Sequence, residues 1–459
     1  MLTSARPARR YDDPLPRELD DPFATRLRQA RSAAAPFVTG QVSRVIGLRF
    51  DVEGLDLPIG ATVQMVDPMR RDGTRLSGEV VAVGDGVVTC MPFGELRGVR
   101  VGARVRGDAR PTSIGVGPQL LGRVIDAMGN PLDDGGPLTG LMEVPLDGEP
   151  PHPMRRSRID TPMSLGVRAW DTCIPAGRGQ RVGVFAGSGV GKSTVLGMIA
   201  RNTAADVNVV ALIGERGREV REFVETDLGP EGLARSVLVI ATSDAPALVR
   251  FRAAFVATRI AEYFRDLGND VMLMMDSLTR FCMAQREIGL SAGEPPTSRG
   301  YPPSVFSLLP RLLERAGAAE VGSITGLYTV LVDGDDHNEP ISDAARSILD
   351  GHVVLSRKLA HANHYPAIDV LASVSRVASA VTTKEQRALT SELRQLLAAE
   401  AEAKDLIEIG AYVPGTNPVV DRAVALRDPI LGFLRQDVDD KTDSAQAFQR
   451  LANVLGSRR

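Results

Sequence analysis

Three scarcities in this sequence of 459 residues each exclude a class of protein. Cys90, Cys173 and Cys282 are its only cysteines, too few and too scattered for a disulfide framework or a zinc site. No apolar run is long enough to span a bilayer, and the first residues lack the apolar segment of a signal peptide. The net charge of −3 lacks the basic excess of proteins that coat nucleic acid. These absences predict a cytoplasmic protein that reaches membranes only through partners or a surface segment.

A glycine-rich loop follows an apolar stretch near the middle of the chain. Residues 181–185 are typical of a buried strand, residues 194–200 of a helix start, and between them lies Ala186-Gly187-Ser188-Gly189-Val190-Gly191-Lys192-Ser193. A strand, a glycine-rich loop, Lys-Ser and a helix in this order form the phosphate-binding P-loop. The pattern therefore predicts a nucleoside triphosphate site. Ala186 replaces the first glycine of the consensus, and its small side chain should still fit.

Distinct roles are expected along this loop. Backbone N–H groups of the loop and of the following helix turn should surround the phosphates. Lys192 should contact the β- and γ-phosphates, and the Ser193 hydroxyl should bind Mg²⁺. The predicted nucleotide-binding residues are Gly187, Ser188, Gly189, Val190, Gly191, Lys192, Ser193 and Thr194.

Two other segments add the groups that hydrolysis needs. Residues 271–276 predict an apolar strand ending at Asp276, and in P-loop enzymes such an acid holds Mg²⁺ beside the loop serine. Glu215 and Arg216 follow another apolar stretch. The carboxylate can polarise an attacking water, and the guanidinium can meet the γ-phosphate. The sequence therefore predicts a nucleoside triphosphate hydrolase that uses Mg²⁺.

Composition divides the chain into four expected segments: an extension at 1–35, a β-barrel assembly domain at 36–108, an α/β ATPase domain at 109–380 and a helical domain at 381–459. The extension is rich in arginine and proline and cannot form a core. Asp21 and Pro22 can begin a helix there, with Phe23 and Leu27 on one face. A segment that docks on a partner or a lipid surface and a solvated tail are both compatible with this pattern.

Short strands and turns dominate the second segment, whereas the third alternates strands with helices. In the second, residues 42–50 predict one strand and residues 78–91 a hairpin, which together are typical of a small barrel. In the third, strands are predicted at 181–187, 208–214, 237–242, 271–276, 324–332 and 352–355. Helices are predicted at 247–267, 304–315, 383–409 and 427–434. The alternation predicts a mainly parallel sheet covered on both faces.

Several motifs resemble those of the type III protein export ATPases, relatives of the F-type ATP synthase β subunit. The resemblance covers residues 122–439 and includes the P-loop, the segment Gly214-Glu215-Arg216-Gly217-Arg218-Glu219-Val220, and residues 122–126, 276–287, 293–296, 323–325, 365–369 and 373–376. Residues 293–304 look more like the flagellar branch than the injectisome branch. The resemblance implies a RecA-like P-loop core between an N-terminal barrel and C-terminal helices.

The same resemblance implies roles for individual residues. Glu215 is similar to the family's catalytic glutamate, and Arg216 to the arginine that meets the γ-phosphate. Arg376 matches the arginine finger, which reaches the site of a neighbouring subunit. Tyr365 resembles the residue that stacks on adenine, and Tyr412 is expected to add a second aromatic wall.

Implied partners are those of an export apparatus. The family forms homohexamers with ATP sites at subunit interfaces, and it works with a central stalk protein, an export gate and substrate–chaperone complexes. Residues 1–35 would bind a stator or regulator protein, with peripheral contact at the inner face of the cell membrane. No nucleic acid is expected among the partners.

Three alternatives remain beside the flagellar export ATPase. An injectisome ATPase would share every motif. A hexameric RNA helicase would need a basic, aromatic barrel, whereas residues 36–108 contain only Phe37, Phe50 and Phe93 as aromatics. A non-catalytic nucleotide-binding ring subunit would lack the carboxylate of Glu215.

Overall fold

The computed structural model describes residues 38–66, 75–108, 112–332 and 339–456. Two compact units divide the chain, one comprising residues 1–113 with 291–293 and the other the remainder. The docking helix expected within residues 1–35 lies outside the described residues. No helix in the described ranges is long and apolar enough to cross a membrane.

The first unit contains a closed six-stranded barrel. Its strands in chain order are β1 (Val38–Ile46), β2 (Arg49–Glu53), β3 (Thr62–Met65), β4 (Ser77–Gly84), β5 (Val87–Pro92) and β6 (Arg104–Asp108). They close in the order β1-β2-β5-β4-β3-β6. Alternate residues point inward, as in β2, where Phe50 and Val52 are buried between more exposed neighbours. Closure leaves no open sheet edge in this barrel.

One expectation about the barrel is wrong. Residues 42–50 form not one strand but the end of β1, a turn and the start of β2. Gly47 adopts a φ of 55° in that turn, and Ile46 pairs with Arg49 across the hairpin. The glycine supplies the positive φ that a tight hairpin turn requires, so the apolar run reverses direction at this point. The predicted hairpin at 78–91 is confirmed as β4 and β5.

The second unit is built on a nine-stranded sheet. The remaining strands are β7 (Ser113–Val116), β8 (Val124–Asp126), β9 (Met142–Pro145), β10 (Pro162–Met163), β11 (Ala176–Gly177), β12 (Arg181–Ala186), β13 (Val207–Ile213), β14 (Ser236–Ala241), β15 (Asp270–Asp276), β16 (Gly317–Ala318), β17 (Ser323–Leu331), β18 (Gly351–Leu355) and β19 (Ile368–Ser375). The sheet order is β19-β18-β12-β17-β15-β13-β14-β8, and β16 pairs with β17. Only β16 and β19 run antiparallel to their neighbours in this sheet as described. The mainly parallel sheet is thus confirmed.

Helices cover the sheet and fill the C-terminal part. They are α1 (Arg168–Cys173), α2 (Lys192–Asn202), α3 (Gly217–Glu222), α4 (Gly229–Ala234), α5 (Ala247–Asp266), α6 (Leu278–Ala292), α7 (Pro303–Leu313), α8 (Pro340–Ile348), α9 (Arg357–His361), α10 (Ala378–Val381), α11 (Lys384–Glu408), α12 (Pro418–Ala425), α13 (Arg427–Leu434) and α14 (Ser444–Val454). A π-helical turn at Phe223–Leu228 joins α3 to α4. Thr383 caps α11 with a capping box to Gln386, which fixes where this long helix begins.

Apolar side chains of the central strands enter cores on both faces of the sheet. In β13, Val210 and Leu212 belong to one core and Val209 and Ala211 to the other. Such strands lack the alternation of polar and apolar residues because neither face meets water. The first core also contains Leu393, Leu396 and Phe433, so the C-terminal helices pack on the same unit as the P-loop.

Candidate active site

The P-loop connects β12 to α2 at the carboxyl edge of the sheet. Gly189 and Gly191 have φ values of 76° and 85°, which side chains rarely adopt, so these two positions require glycine. Gly191 precedes α2 without a side-chain cap, leaving the N–H groups of the first helical turn to a ligand. Ala186 is buried, so its small side chain is accommodated where the consensus has glycine. Its backbone carbonyl accepts a 3.0 Å hydrogen bond from the Val332 N–H.

Lys192 brings two acidic residues together at this edge. Its Nζ lies 2.6 Å from Asp276 Oδ1 and 3.3 Å from Glu215 Oε1. Asp276 ends β15 and Glu215 follows β13, so both carboxylates come from the carboxyl ends of parallel strands. Their side chains are 3% and 19% exposed, and that of Lys192 is 12% exposed. Three of the predicted catalytic and metal residues therefore form one half-buried cluster beside the P-loop.

Electrostatics within the cluster favour the charged form of Lys192 and disfavour the ionised form of Glu215 beside Asp276. Burial raises the pKa of Glu215; Lys192 opposes this rise, and the charge of Asp276 adds to it. Burial acts to lower the pKa of Lys192, but Asp276 and Glu215 outweigh it and raise that pKa above its usual value. A glutamate whose pKa is raised is a better proton acceptor when ionised, as a base acting on water must be.

Two residues to which the sequence analysis assigned no role belong to the surroundings of this cluster. Thr329, fully buried on β17, donates a 2.6 Å hydrogen bond to the Asp276 Oδ1 that Lys192 also contacts. Arg280 packs its side chain against Gly214, just before Glu215, and its buried Nε has no hydrogen-bond partner among the described residues. Thr329 lies 53 residues from Asp276 in the chain, so no local pattern could indicate the bond.

Oxygen donors beside the loop suit magnesium. Mg²⁺ takes oxygen ligands and is usually held by one or two carboxylates together with substrate phosphates and water. Asp276 provides a carboxylate, and Ser193, exposed on the first turn of α2, provides a hydroxyl. This donor set fits a magnesium–nucleotide complex.

Tyr365 contacts the P-loop from the connection between α9 and β19. A Cβ placed on Gly191 would lie 3.4 Å from Cδ1 and Cε1 of the Tyr365 ring, so the ring packs on this glycine. The residue as a whole is 42% exposed, and the Tyr365 carbonyl accepts a 2.9 Å hydrogen bond from the Gln436 N–H. An anchored, partly exposed aromatic side chain at this position can stack on a nucleotide base.

The structure does not bring Arg216 or Tyr412 into the cluster. Arg216 is the N-cap residue of α3, and its side chain is 76% exposed and pairs with Glu219 at 3.3 Å. Tyr412 donates from its hydroxyl to Asp421 Oδ1 at 2.9 Å and to the Asn417 carbonyl at 3.1 Å. Their roles at the nucleotide stay predictions.

Arg376 lies at the opposite edge of the sheet from the P-loop of its own chain. It follows β19, which runs antiparallel to β18, and its N–H donates to the Asp350 carbonyl at 3.0 Å. The Asp350 N–H in turn donates to the carbonyl of Arg181, the first residue of β12. The P-loop follows the last residue of that strand, about 17 Å further along at ~3.3 Å per residue. An arginine side chain cannot cover this distance, so Arg376 cannot reach Lys192 of its own chain.

Three family descriptions match consecutive parts of the sequence. Residues 42–107 match the β-barrel domain of the ATP synthase alpha/beta family, and residues 166–375 match its nucleotide-binding domain. Residues 382–453 match the C-terminal domain described for the T3SS EscN ATPase. Together they cover the barrel, the P-loop sheet and the C-terminal helices.

Individual relatives come from two export systems. The chain is 50% identical to the flagellum-specific ATP synthase of Bacillus subtilis, over 91% of this chain and 95% of the relative. It is 51% identical to the type 3 secretion system ATPase of Xanthomonas euvesicatoria, over 91% and 93%. Among solved structures, the assembled ATPase EscN from the enteropathogenic E. coli type III secretion system superposes with a TM-score of 0.86 at 45% identity, over 91% of this chain and 100% of that one.

Proposed function

The chain belongs to the ATP synthase alpha/beta family, on the side of its type III export ATPases, and from this premise we propose that it hydrolyses ATP to drive protein export. The observation that supports this most is the contact of Lys192 with both Asp276 and Glu215 beside the P-loop. A plain nucleotide-binding module needs the lysine but has no use for a half-buried glutamate of raised pKa.

A division of labour is proposed among the predicted site residues, of which the structure brings Lys192, Asp276 and Glu215 together. The P-loop N–H groups and Lys192 bind the phosphates. Asp276 and Ser193 would hold Mg²⁺, which would neutralise charge on the phosphates. Glu215 orients the attacking water and accepts its proton. Arg216 meets the γ-phosphate, which requires its exposed side chain to turn toward the site. Tyr365 stacks on the adenine, with Tyr412 as the second wall.

The complete site is proposed to need two copies of the chain. Arg376 lies beside the start of β12, and the P-loop of the same chain begins about 17 Å away at the other end of that strand. An arginine supplied by a neighbouring subunit is worth roughly 10³ to 10⁵ in rate. A homohexamer with six such interfaces satisfies this requirement. One of the similar solved structures carries the description of EscN in complex with its central stalk EscO, which supports a ring around a stalk protein for this chain too.

The export system is proposed to be flagellar, with the injectisome as the alternative. Relatives of both branches are equally identical to the chain, so the preference rests on residues 293–304. The proposed work is release of chaperones and unfolding of substrates before an export gate, by a cytoplasmic protein at the inner face of the membrane. Residues 1–35 bind the stator or regulator. The proposed domains are residues 1–35, 36–108, 109–380 and 381–459.

Lys192→Ala tests the enzyme. Purified variant protein should release no phosphate from Mg–ATP, because the charge facing the phosphates is gone. Lys404→Ala, at an exposed pair with Glu408 on α11, is the matched control and should keep the parent rate. Full turnover by Lys192→Ala would end the assignment of the P-loop.

Recovery of partners tests the export system. The full chain and a chain lacking residues 1–35 are each used to capture proteins from the native cell. Flagellar export components on the full chain alone would support the flagellar branch and the role of the extension. Injectisome components would overturn the preference for the flagellar branch.

A further inference from the structure

Strand β19, which precedes Arg376, is interrupted by a bulge of several residues. Val354 of β18 pairs with Asp369, whereas His352, only two residues earlier, pairs with Val374. Two steps along β18 thus match five steps along β19, so three residues of β19 are extra. Backbone groups in such a bulge lose their partners in the ladder and need others.

Side chains supply the missing partners of the bulge carbonyls. The Ser373 hydroxyl donates to the Asp369 carbonyl, and His352 Nε2 lies 3.1 Å from the Ala372 carbonyl oxygen. Arg394 provides the remainder: Nη1 and Nη2 donate, at 2.6 to 3.4 Å, to the carbonyl oxygens of Val370, Leu371 and Ser373. A planar guanidinium with five N–H donors suits a cluster of carbonyls in different directions.

Arg394 holds this bulge from the middle of helix α11. Its neighbours Leu393 and Leu396 are buried in the core, and Thr390, one turn earlier, donates a 2.6 Å bond to the Thr172 carbonyl of α1. The helix is therefore fixed to the body of the unit at the level of Arg394. The bulge is therefore tied to α11 through Arg394 as well as to β18 through His352.

Arg376 directly follows Ser375, the last residue of β19. Its N–H is held by the Asp350 carbonyl, and its Nη2 donates to the Arg346 carbonyl at 3.1 Å. We infer that Arg394 is a positioning residue for Arg376: by fixing the bulge, it sets where β19 delivers the guanidinium to the site of a neighbouring copy. The inference rests on the proposed role of Arg376 as a finger in trans.

The first measurement is the turnover of assembled Arg394→Gln protein. Misplacing a catalytic group by about 1 Å can cost on the order of 100-fold, so we expect kcat to fall about 10- to 100-fold with the KM for ATP unchanged. Arg394→Lys reaches one carbonyl at a time and should show an intermediate kcat. Parent turnover by Arg394→Gln would overturn the inference.

Arg387→Gln is the matched control. Arg387 lies seven residues earlier on the same face of α11 and likewise donates to two backbone carbonyls, those of Ser379 and Thr382, beyond β19. Its loss removes a similar clamp without touching the bulge, and we expect parent turnover. A loss as large as that of Arg394→Gln would show that any weakening of α11 lowers kcat, and would overturn the inference.

Mixed rings locate the site at which Arg394 acts. Arg394→Gln protein is assembled with Glu215→Gln protein, which lacks the base but keeps Arg394 and Arg376; Arg394→Lys replaces Arg394→Gln if the latter does not assemble. An action in trans predicts recovery of turnover above the sum of the two separate proteins. If Arg394 acts on the ATP site of its own chain, no recovery of turnover is expected, because every chain with an intact Glu215 then carries the Arg394 substitution.

A parallel mixture of Arg376→Ala with Glu215→Gln separates two kinds of failure. Recovery there but not with Arg394→Gln would overturn the role of Arg394 alone. Recovery in neither mixture, with assembly demonstrated, would overturn the finger and the inference together.

Discussion

Tyr365 and Arg376 lie at opposite edges of one sheet because the strand between them, β19, runs antiparallel to its neighbour β18. Tyr365 packs on Gly191 of the P-loop, while Arg376 lies level with Arg181 at the start of β12. Strand β19 therefore begins beside the nucleotide site of its own chain and ends at Arg376, which lies too far away to reach that site. This arrangement is the physical reason for expecting one ATP site to need two copies of the chain.

Replacing Tyr365 should weaken ATP binding. Stacking of a base on an aromatic ring is worth about 1–3 kcal/mol, so Tyr365→Ala should raise the KM for ATP by roughly 5- to 150-fold. Tyr365→Phe keeps the ring and should stay near the parent value. An unchanged KM in Tyr365→Ala would show that the ring beside Gly191 does not meet the base.

Removing the hydroxyl of Thr329 should raise the magnesium concentration needed for turnover. A hydrogen bond to a charged group contributes about 1.5–3 kcal/mol, and this bond orients the carboxylate of Asp276. Thr329→Val should therefore shift the magnesium dependence by about tenfold or more, and Thr329→Ser should restore it.

Thr325→Val is the control for that shift. Thr325 is equally buried on the same face of β17, but its hydroxyl accepts from the Gly179 N–H at the opposite edge of the sheet. Its variant should lose stability without any change in magnesium dependence. Equal shifts in both variants would contradict a specific role for Thr329.

Neutralising Glu215 should stabilise the fold more at high pH than at low pH. Its raised pKa means that the folded chain prefers the neutral acid. Its contribution to stability is therefore present below the ordinary pKa of about 4.3 and lost as the pH rises through the folded value. The melting temperature of Glu215→Gln, relative to the parent, should be higher at pH 8 than at pH 5. Glu225→Gln, which neutralises a carboxylate at an exposed pair with Arg221, is the control for the loss of one negative charge.

Breaking the buried ion pair between Arg315 and Glu262 should strongly destabilise the second unit. Arg315 Nε and Nη2 each lie 2.7 Å from a Glu262 oxygen, and both side chains are almost fully buried. Arg315→Ala leaves a buried carboxylate without this partner, at a cost of about 3–5 kcal/mol. Arg221→Ala, at the exposed pair, should cost less than about 1 kcal/mol. Urea unfolding of both variants measures the difference.

Elements with a strong apolar pattern were predictable to within two residues. Residues 271–276 correspond to β15 and residues 247–267 to α5, because a strand buried on both faces and a long amphipathic helix each leave a clear pattern. Strand β19 was not predicted as a strand. It lies at the sheet edge and contains a bulge, so its exposed and buried residues follow neither period.

The candidate site was predictable only where chemistry coincides with a local motif. Lys192 lies in the P-loop, and Glu215 and Asp276 follow apolar strands, so each is visible within a short window. Thr329 and Arg394 act on residues that are distant in the chain or on backbone carbonyls, which no spacing encodes. Predicting that Arg376 cannot reach the P-loop of its own chain would have required the strand order and register, which the sequence does not show.

Turnover in rings assembled from Arg376→Ala and Glu215→Gln proteins tests the shared site most directly. Each variant alone should be inactive, since one lacks the finger and the other the base. In mixed rings, an intact Glu215 meets an intact Arg376 of its neighbour at some interfaces, and the account predicts phosphate release well above that of either protein alone. Proven co-assembly without any recovery would contradict it.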